Sequence, residues 1–223
     1  MIALNKYTLK KAALPRELAL CRQLLPLAQA CGRADEDLES LHILECGESE
    51  AGFDRLAFRG VLFEKCALLS CSLQNCLFQD VRFLGCDLSG SNFSGSRFVR
   101  CEFLNTKCCG SNFSGGSFLS AKFEDCLLRY ANFTSSKLES SAFENSDLTD
   151  VFLAQCKLKN LSLDRSRFVR TDFFQSPLKG LDFSGATLEG ICVSEGAGEL
   201  AGAMVSPLQA VELARLLGVI LQE

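Results

Sequence analysis

CDLSGSNFSGSRFVRCEFLNTKCCGSNFSGGSF, residues 86–118, carries Leu88, Phe93, Phe98, Phe103, Cys108, Phe113 and Phe118 at every fifth place. Outward from this stretch the phase holds without a break from Phe53 to Leu188. The 28 pentads have 16 Phe, 11 Leu and the single Cys108 at their centres, and they hold 16 of the chain's 18 Phe. A period of five matches neither the roughly 3.6 residues of a helical turn nor the two-residue alternation of a strand. It marks a repeat architecture, in which each unit buries its apolar face against its neighbours.

A second position, two residues before each centre, is also restricted. It reads Cys66, Cys71, Cys76, Val81, Cys86, Ser91, Ser96, Cys101, Thr106 and onward, small or apolar and almost never charged. The other three positions hold nearly all the charge. One large and one small side chain per pentad therefore point inward, which is how a narrow tube is filled without voids. Nine of the 17 Gly lie two residues after a centre, Gly60, Gly85, Gly90 and Gly95 among them, which predicts a turn there in each pentad.

The 223 residues suit one elongated domain with small end pieces, and 48% are hydrophobic, enough for a continuous core. A net charge of −4 argues against direct nucleic-acid binding through a general basic surface. The first twenty residues have no uninterrupted apolar run, because Arg16 and Glu17 break it, so neither a signal peptide nor a membrane span is expected. The 13 Cys are then read as reduced thiols in a cytoplasmic protein. With no C-x-x-C and one His, they read as small buried hydrophobes rather than metal ligands. His42 lies outside the repeat, and neither a phosphate-binding glycine loop nor a nucleophile elbow occurs. The sequence therefore points to no enzyme, no cofactor and no metal.

Runs such as CDLSGSNFSGSRF, GSNFSGGSF, YANFTSSKL and GATLEG resemble the pentapeptide-repeat family, whose consensus is A(D/N)LXX. The resemblance covers residues 51–194 and implies an all-β fold, a right-handed quadrilateral β-helix with four pentads per coil. Seven coils follow, a rod of roughly 34 Å at the strand spacing. Residues 1–50 are expected to form an N-terminal cap, partly helical over 12–31 with Pro26 as a break. An irregular first coil should precede Phe53, because the phase reaches Leu38, Ile43 and Cys46 but fails at Glu48. Residues 195–223 read as a loop, then a helix with Ser206 as N-cap, Pro207 in its first turn and Gly218 at its end, then a short strand Val219–Leu221.

At four pentads per coil, positions 20 apart stack on one wall, and the outward charges sort by wall. The wall of Phe58, Phe78 and Phe98 carries Arg59, Arg97, Arg100, Lys137, Lys157, Lys159 and Lys179 against Asp80 and Glu139, a net of +5. The wall of Phe63, Phe83 and Phe103 carries Glu64, Glu102, Glu124, Asp125, Glu144, Asp164 and Asp182 against four basic residues, a net of −3. Either wall is a candidate partner surface. The wall of Phe53 and Leu73 is nearly uncharged, and late in it Phe152 and Phe174 fall at outward positions. With Leu208, Val211, Leu213, Leu216, Leu217 and Ile220 of the C-terminal segment they are candidate contacts of a homodimer.

Within the family, a C-terminal apolar helix and a coil without projecting loops are similar to the Qnr and MfpA group. That likeness implies a head-to-head dimer and a DNA mimic that engages DNA gyrase or topoisomerase IV, with quinolone protection. A DNA mimic needs a negative rod, whereas this coil is near neutral with one basic wall. The reading favoured from sequence is a non-enzymatic protein-interaction scaffold.

Overall fold

The computed structural model describes residues 9–220. The chain winds as a parallel β-solenoid of about nine turns. Two walls are continuous parallel sheets of seven short strands each. On the Phe63 wall the strands are Ala19–Cys21, Leu41–Leu44, Leu62–Glu64, Arg82–Leu84, Glu102–Leu104, Lys122–Glu124 and Ala142–Glu144. On the Phe58 wall they are Leu38–Glu39, Ala57–Arg59, Leu77–Gln79, Arg97–Val99, Ser117–Leu119, Lys137–Glu139 and Lys157–Lys159. Partners stand 20 residues apart, as in Phe98 between Phe78 and Phe118, which fixes four pentads per coil.

The Leu68 and Leu73 walls are held mostly by single bridges, such as Ser72 to Asn92 to Asn112 to Asn132. There each pentad closes a tight turn, as where the Ser91 and Ser96 N–H groups donate to the Leu88 and Phe93 carbonyls. Residues two after the centres, Gly185 excepted, take φ near +50° to +80° whether glycine or not, including Arg55, Asn75 and Tyr130. At Gly60 space also runs out, because a Cβ there would lie 2.8 Å from the rigid Pro15 ring.

Every centre from Phe53 to Leu188 is buried except Leu158, which is half-buried, and on three walls phenylalanines stack ring on ring. Phe63, Phe83, Phe103, Phe123 and Phe143 have successive centroid separations of 4.8, 4.8, 4.4 and 5.0 Å. Phe58, Phe78, Phe98 and Phe118 stack at 5.0, 4.9 and 4.6 Å. The ring spacing is the strand spacing, so one residue type satisfies backbone pairing and core packing together.

The small inward residues do more than fill space. Ser96 Oγ donates to the Leu73 carbonyl at 2.8 Å, Ser111 to Leu88 at 2.8 Å and Thr171 to Leu148 at 2.8 Å. Cys76 Sγ reaches the Phe53 carbonyl at 3.0 Å and Cys101 that of Phe78 at 3.3 Å. In each case a donor meets the carbonyl of a centre 23 residues earlier, one coil below. Ser, Thr and Cys share the column because each is small and carries a donor, and a buried donor must be satisfied.

Three expectations need correction. The coil is longer than seven turns, because Ala19–Cys21 pairs with Leu41–Ile43, Gly47–Ser49 with Ala67–Leu69, and Met204 with Asp182. Backbone ladders do not require Phe or Leu at the centre. Glu48 therefore holds a centre position while its carboxylate accepts the Leu25 N–H at 3.3 Å. Second, residues 12–31 are not one helix or two. A strand at Ala19–Cys21 precedes a single helix, α1 (Leu24–Ala34), and Pro26 sits in its first turn, where an N–H would have no helical partner. Third, no strand follows the C-terminal helix: Val219 and Ile220 are irregular, and Leu221 lies outside the described residues.

The C-terminal helix itself, α2 (Pro207–Leu216), is built as its sequence predicts. Ser206 and Gln209 form a reciprocal capping box. Past the helix end, the Gly218 N–H donates to Arg215 and the Val219 N–H to Ala214, with Gly218 at φ +74°.

Candidate functional site

A tube filled by its own side chains offers its chemistry on the outside, so the walls are the site. On the Phe63 wall the acidic residues are largely spent within the protein. Glu64 meets His42 Nε2 at 2.8 Å, Glu102 meets Arg82 at 2.6 Å, and Lys122 binds both Glu124 at 2.8 Å and Glu144 at 3.0 Å. Asp164 pairs with Arg165 at 3.1 Å, Asp125 accepts from Asn145, and Asp182 accepts from the Ser184 N–H and hydroxyl. Arg82, Lys122 and Arg165 offset part of this charge, but Asp125 and Asp182 bond only neutral donors and Glu124 and Glu144 share one lysine, so the wall keeps its net of −3.

The Phe58 wall behaves differently along its length. Arg59 pairs with Asp37 at 2.6 Å, and Arg100 grips Asp80 through two bonds at 2.7 and 2.5 Å. Burial alone would raise the Asp80 carboxyl, but the Arg100 hydrogen bonds hold it below its usual range. Nearer the C-terminus, Lys137 and Lys157 are neighbours in the ladder and Lys159 faces Glu139 across it. Glu139 lies 3.0 Å from Lys159 and 3.8 Å from Lys137, and these two lysines hold its carboxyl low. Among the described residues, Arg97, Lys157 and Lys179 have no carboxylate partner within 4.0 Å. Lys137, Lys157, Lys159 and Lys179 thus form a cluster over three successive coils with one acid among them.

The family description Pentapeptide repeat region matches residues 77–153, and Pentapeptide repeats (8 copies) matches residues 58–95 and 153–190. The two together run from 58 to 190, through the stacked coils. The chain is a pentapeptide-repeat protein. Among solved structures it is similar to trypsin-treated QnrB1, a plasmid-mediated fluoroquinolone resistance protein. That likeness is 22% identical, covers 92% of this chain and 98% of that one, and has a TM-score of 0.41. HetL, a pentapeptide-repeat protein involved in heterocyst differentiation regulation from the cyanobacterium Nostoc sp. strain PCC 7120, is 14% identical. It covers 79% of this chain and 90% of its own at a TM-score of 0.41. A pentapeptide-repeat protein from the Arabidopsis thaliana thylakoid lumen is 19% identical over 53% of this chain and 68% of that one, at a TM-score of 0.30. No curated protein matches the sequence.

In this pentapeptide-repeat coil the thiols are all free, and ten of the 13 are buried. Burial pushes Cys76, Cys101 and Cys126 up to about 12, against weaker opposing backbone hydrogen bonds. The column Cys46, Cys66, Cys86 stacks as its spacing predicts. Among the described residues no three His, Cys, Asp or Glu side chains gather as a metal would require. No helix there is long and apolar enough to cross a membrane.

The candidate dimer residues divide into two places. On α2 no residue is buried, and Leu208 is 82% exposed, with Val211, Leu216, Leu217 and Ile220 also exposed. Leu213 alone of the set packs against the core. Gln209 Nε2 anchors the helix to the Phe183 and Ala186 carbonyls at 2.9 and 2.8 Å, at the end of the Phe63 wall. Phe152 and Phe174 stand on the Leu73 wall, the opposite side of the coil, so one chain does not gather them onto a single face with α2.

Sequence reasoning missed Glu199. Its side chain is 6% exposed, and one carboxylate oxygen accepts the N–H groups of Gln175 at 2.8 Å and Ser194 at 3.1 Å. Those N–H groups would otherwise seek the carbonyls of a next coil, so Glu199 terminates the ladder on this corner. Burial would raise its carboxyl, but hydrogen bonds from Ser194 and from backbone N–H groups hold it down to about 2. A lone Glu in a glycine-rich tail carries no sequence signal for this role.

Proposed function

We infer that the protein is a non-enzymatic, cytosolic scaffold that holds an acidic protein partner against the lysine cluster of the Phe58 wall. The observation that carries this reading is the charge left over after internal pairing. Lys137, Lys157, Lys159 and Lys179 against Glu139 leave a net of +3 within three coils. Lys137, Lys157 and Lys159 stand on sheet strands at strand spacing and Lys179 in a turn one coil on, so the backbone that presents them is already ordered. The competing reading, a DNA mimic of DNA gyrase or topoisomerase IV, needs a face of free negative charge. The ion pairs of Glu102 with Arg82, of Glu124 and Glu144 with their shared Lys122, and of Asp164 with Arg165 weigh against it. Homodimerisation through residues 203–223 is part of the proposal, supported by the uncovered apolar side of α2.

Charge reversal at Lys157→Glu and Lys179→Glu tests the scaffold. An acidic protein retained by the parent from source-cell extract should be lost by the double variant. Its binding should be reproduced with purified components and weaken as salt rises. Identical retention by parent and variant would refute the assignment. Gyrase supercoiling, with and without a quinolone, tests the competitor. Submicromolar inhibition or protection that disappears on neutralising Glu102, Glu124 and Glu144 would reverse the conclusion.

A further inference from the structure

Sixteen of the 18 Phe are pentad centres, and the other two, Phe152 and Phe174, are 46% and 41% exposed. They stand in successive coils of the Leu73 wall. The column of Phe152 is polar below it, with Ser72, Asn92, Asn112 and Asn132. At Phe152 that pattern breaks, and the two rings line a concavity of about 360 Å³ with Asp150, Arg170, Asp172 and Cys192.

The charges around the rings are unequal. Arg170 is fully engaged, donating to both oxygens of Asp150 at 2.7 and 2.6 Å. Asp172 has no basic partner within 4.0 Å among the described residues, and only its Oδ1 is engaged, by the Phe174 N–H at 2.9 Å. Two exposed aromatic rings beside one unneutralised carboxylate attract an organic cation. A neutral apolar group would gain the rings but strip water from Asp172. An anion would be repelled.

We propose that this concavity is a socket for a positively charged side chain, arginine or lysine, presented by a protein partner. The aliphatic stem lies on Phe152 and Phe174 and the charged end meets Asp172. The inference rests on the scaffold reading only for the existence of a partner. A partner spanning both surfaces would set acidic residues against the lysine cluster and one basic anchor into the socket.

Cys192 lines the concavity and is exposed, so its reactivity reports occupancy in the isolated full-length protein. In a background of Cys31→Ser and Cys109→Ser, a trimethylammonium-ethyl methanethiosulfonate is compared with its sulfonatoethyl counterpart. The cationic reagent should be favoured about tenfold more than in the urea-unfolded chain. Asp172→Asn should abolish that preference. Phe152→Leu and Phe174→Leu, which keep apolar bulk but remove the ring face, should each lose at least half of it. Millimolar N-acetyl-argininamide should slow the cationic reagent, and N-acetyl-glutaminamide should not. A preference no greater than in the unfolded chain overturns the proposal. So does a preference that Asp172→Asn removes while both leucine variants keep it. Protection of Cys192 that grows with protein concentration would assign the concavity to a second copy and also overturn it. This assay reads the socket alone, so it can fail while the lysine cluster still binds, or succeed where the cluster does not.

Discussion

Removing the Phe103 ring tests the inward stack where it is tightest. Phe103 is fully buried, with Phe83 at 4.8 Å below, Phe123 at 4.4 Å above and Phe98 at 5.8 Å beside it. Phe103→Ala deletes a buried aromatic side chain at a cost of about 3–5 kcal/mol. Two stacked contacts of about 0.5–1.5 kcal/mol each place the expected value near the upper end of that range. Phe103→Leu keeps apolar bulk but loses both stacked contacts, so it should cost about 1–3 kcal/mol, less than alanine. Because each coil touches only its neighbours, the damage should be local. Amide exchange followed by mass spectrometry should show protection falling by roughly 1,000-fold across Arg82–Leu84 and Lys122–Glu124, the factor for about 4 kcal/mol. The distal coils should change far less. An alanine variant within 1 kcal/mol of the parent in urea, or a loss of protection spread evenly along the chain, would refute the stack as the source of coil stability.

Native protein treated with a neutral thiol reagent should react first at Cys192, then slowly at Cys31 and Cys109, while denatured protein should expose all 13 thiols to counting by mass. The Glu199 carboxyl falls from 4.5 in the unfolded chain to about 2 when folded, so its stabilisation is fully present above pH 4.5 and is lost as pH falls towards 2. Glu199→Gln should cost about 1.5–3 kcal/mol locally and remove that acid sensitivity, read as exchange protection of Gln175 and Ser194 across this range. Truncation after Val205 should convert a dimer into a monomer or an aggregating rod, and full-length protein that sediments as a monomer at high concentration would sink the dimer.

The central coils were legible because a pentad repeat states the same inward and outward pattern 28 times, and one error cannot hide it. The ends were not, because there the backbone ladder continues without the side-chain pattern. Gly47–Ser49 joins the coil with Glu48 at its centre, and Met204 pairs with Asp182 across a 22-residue turn. Both ends are also closed by a carboxylate that accepts backbone N–H groups, Glu48 for α1 and Glu199 for the last coil. Nothing local to either glutamate distinguishes it from a solvated one.

The same divide separates the walls from their chemistry. Spacing assigned each charge to a wall once the family resemblance implied four pentads, 20 residues, per coil. Whether a charge is available depended on side chains meeting across coils: Arg82 with Glu102, Arg100 with Asp80, and Lys122 with Glu144. A count of net charge per wall cannot see this, because it sums residues that cancel and residues that do not. By itself the sequence determined the repeat and the identity of the buried residues, which follow from periodic burial, while the four-wall register came from what the family resemblance implies. Only the tertiary structure decided which acids of the acidic wall are paired and that the lysines near the C-terminus are left over. It also decided that Phe152 and Phe174 share a concavity with an unpaired Asp172, since these depend on distances between residues one coil apart.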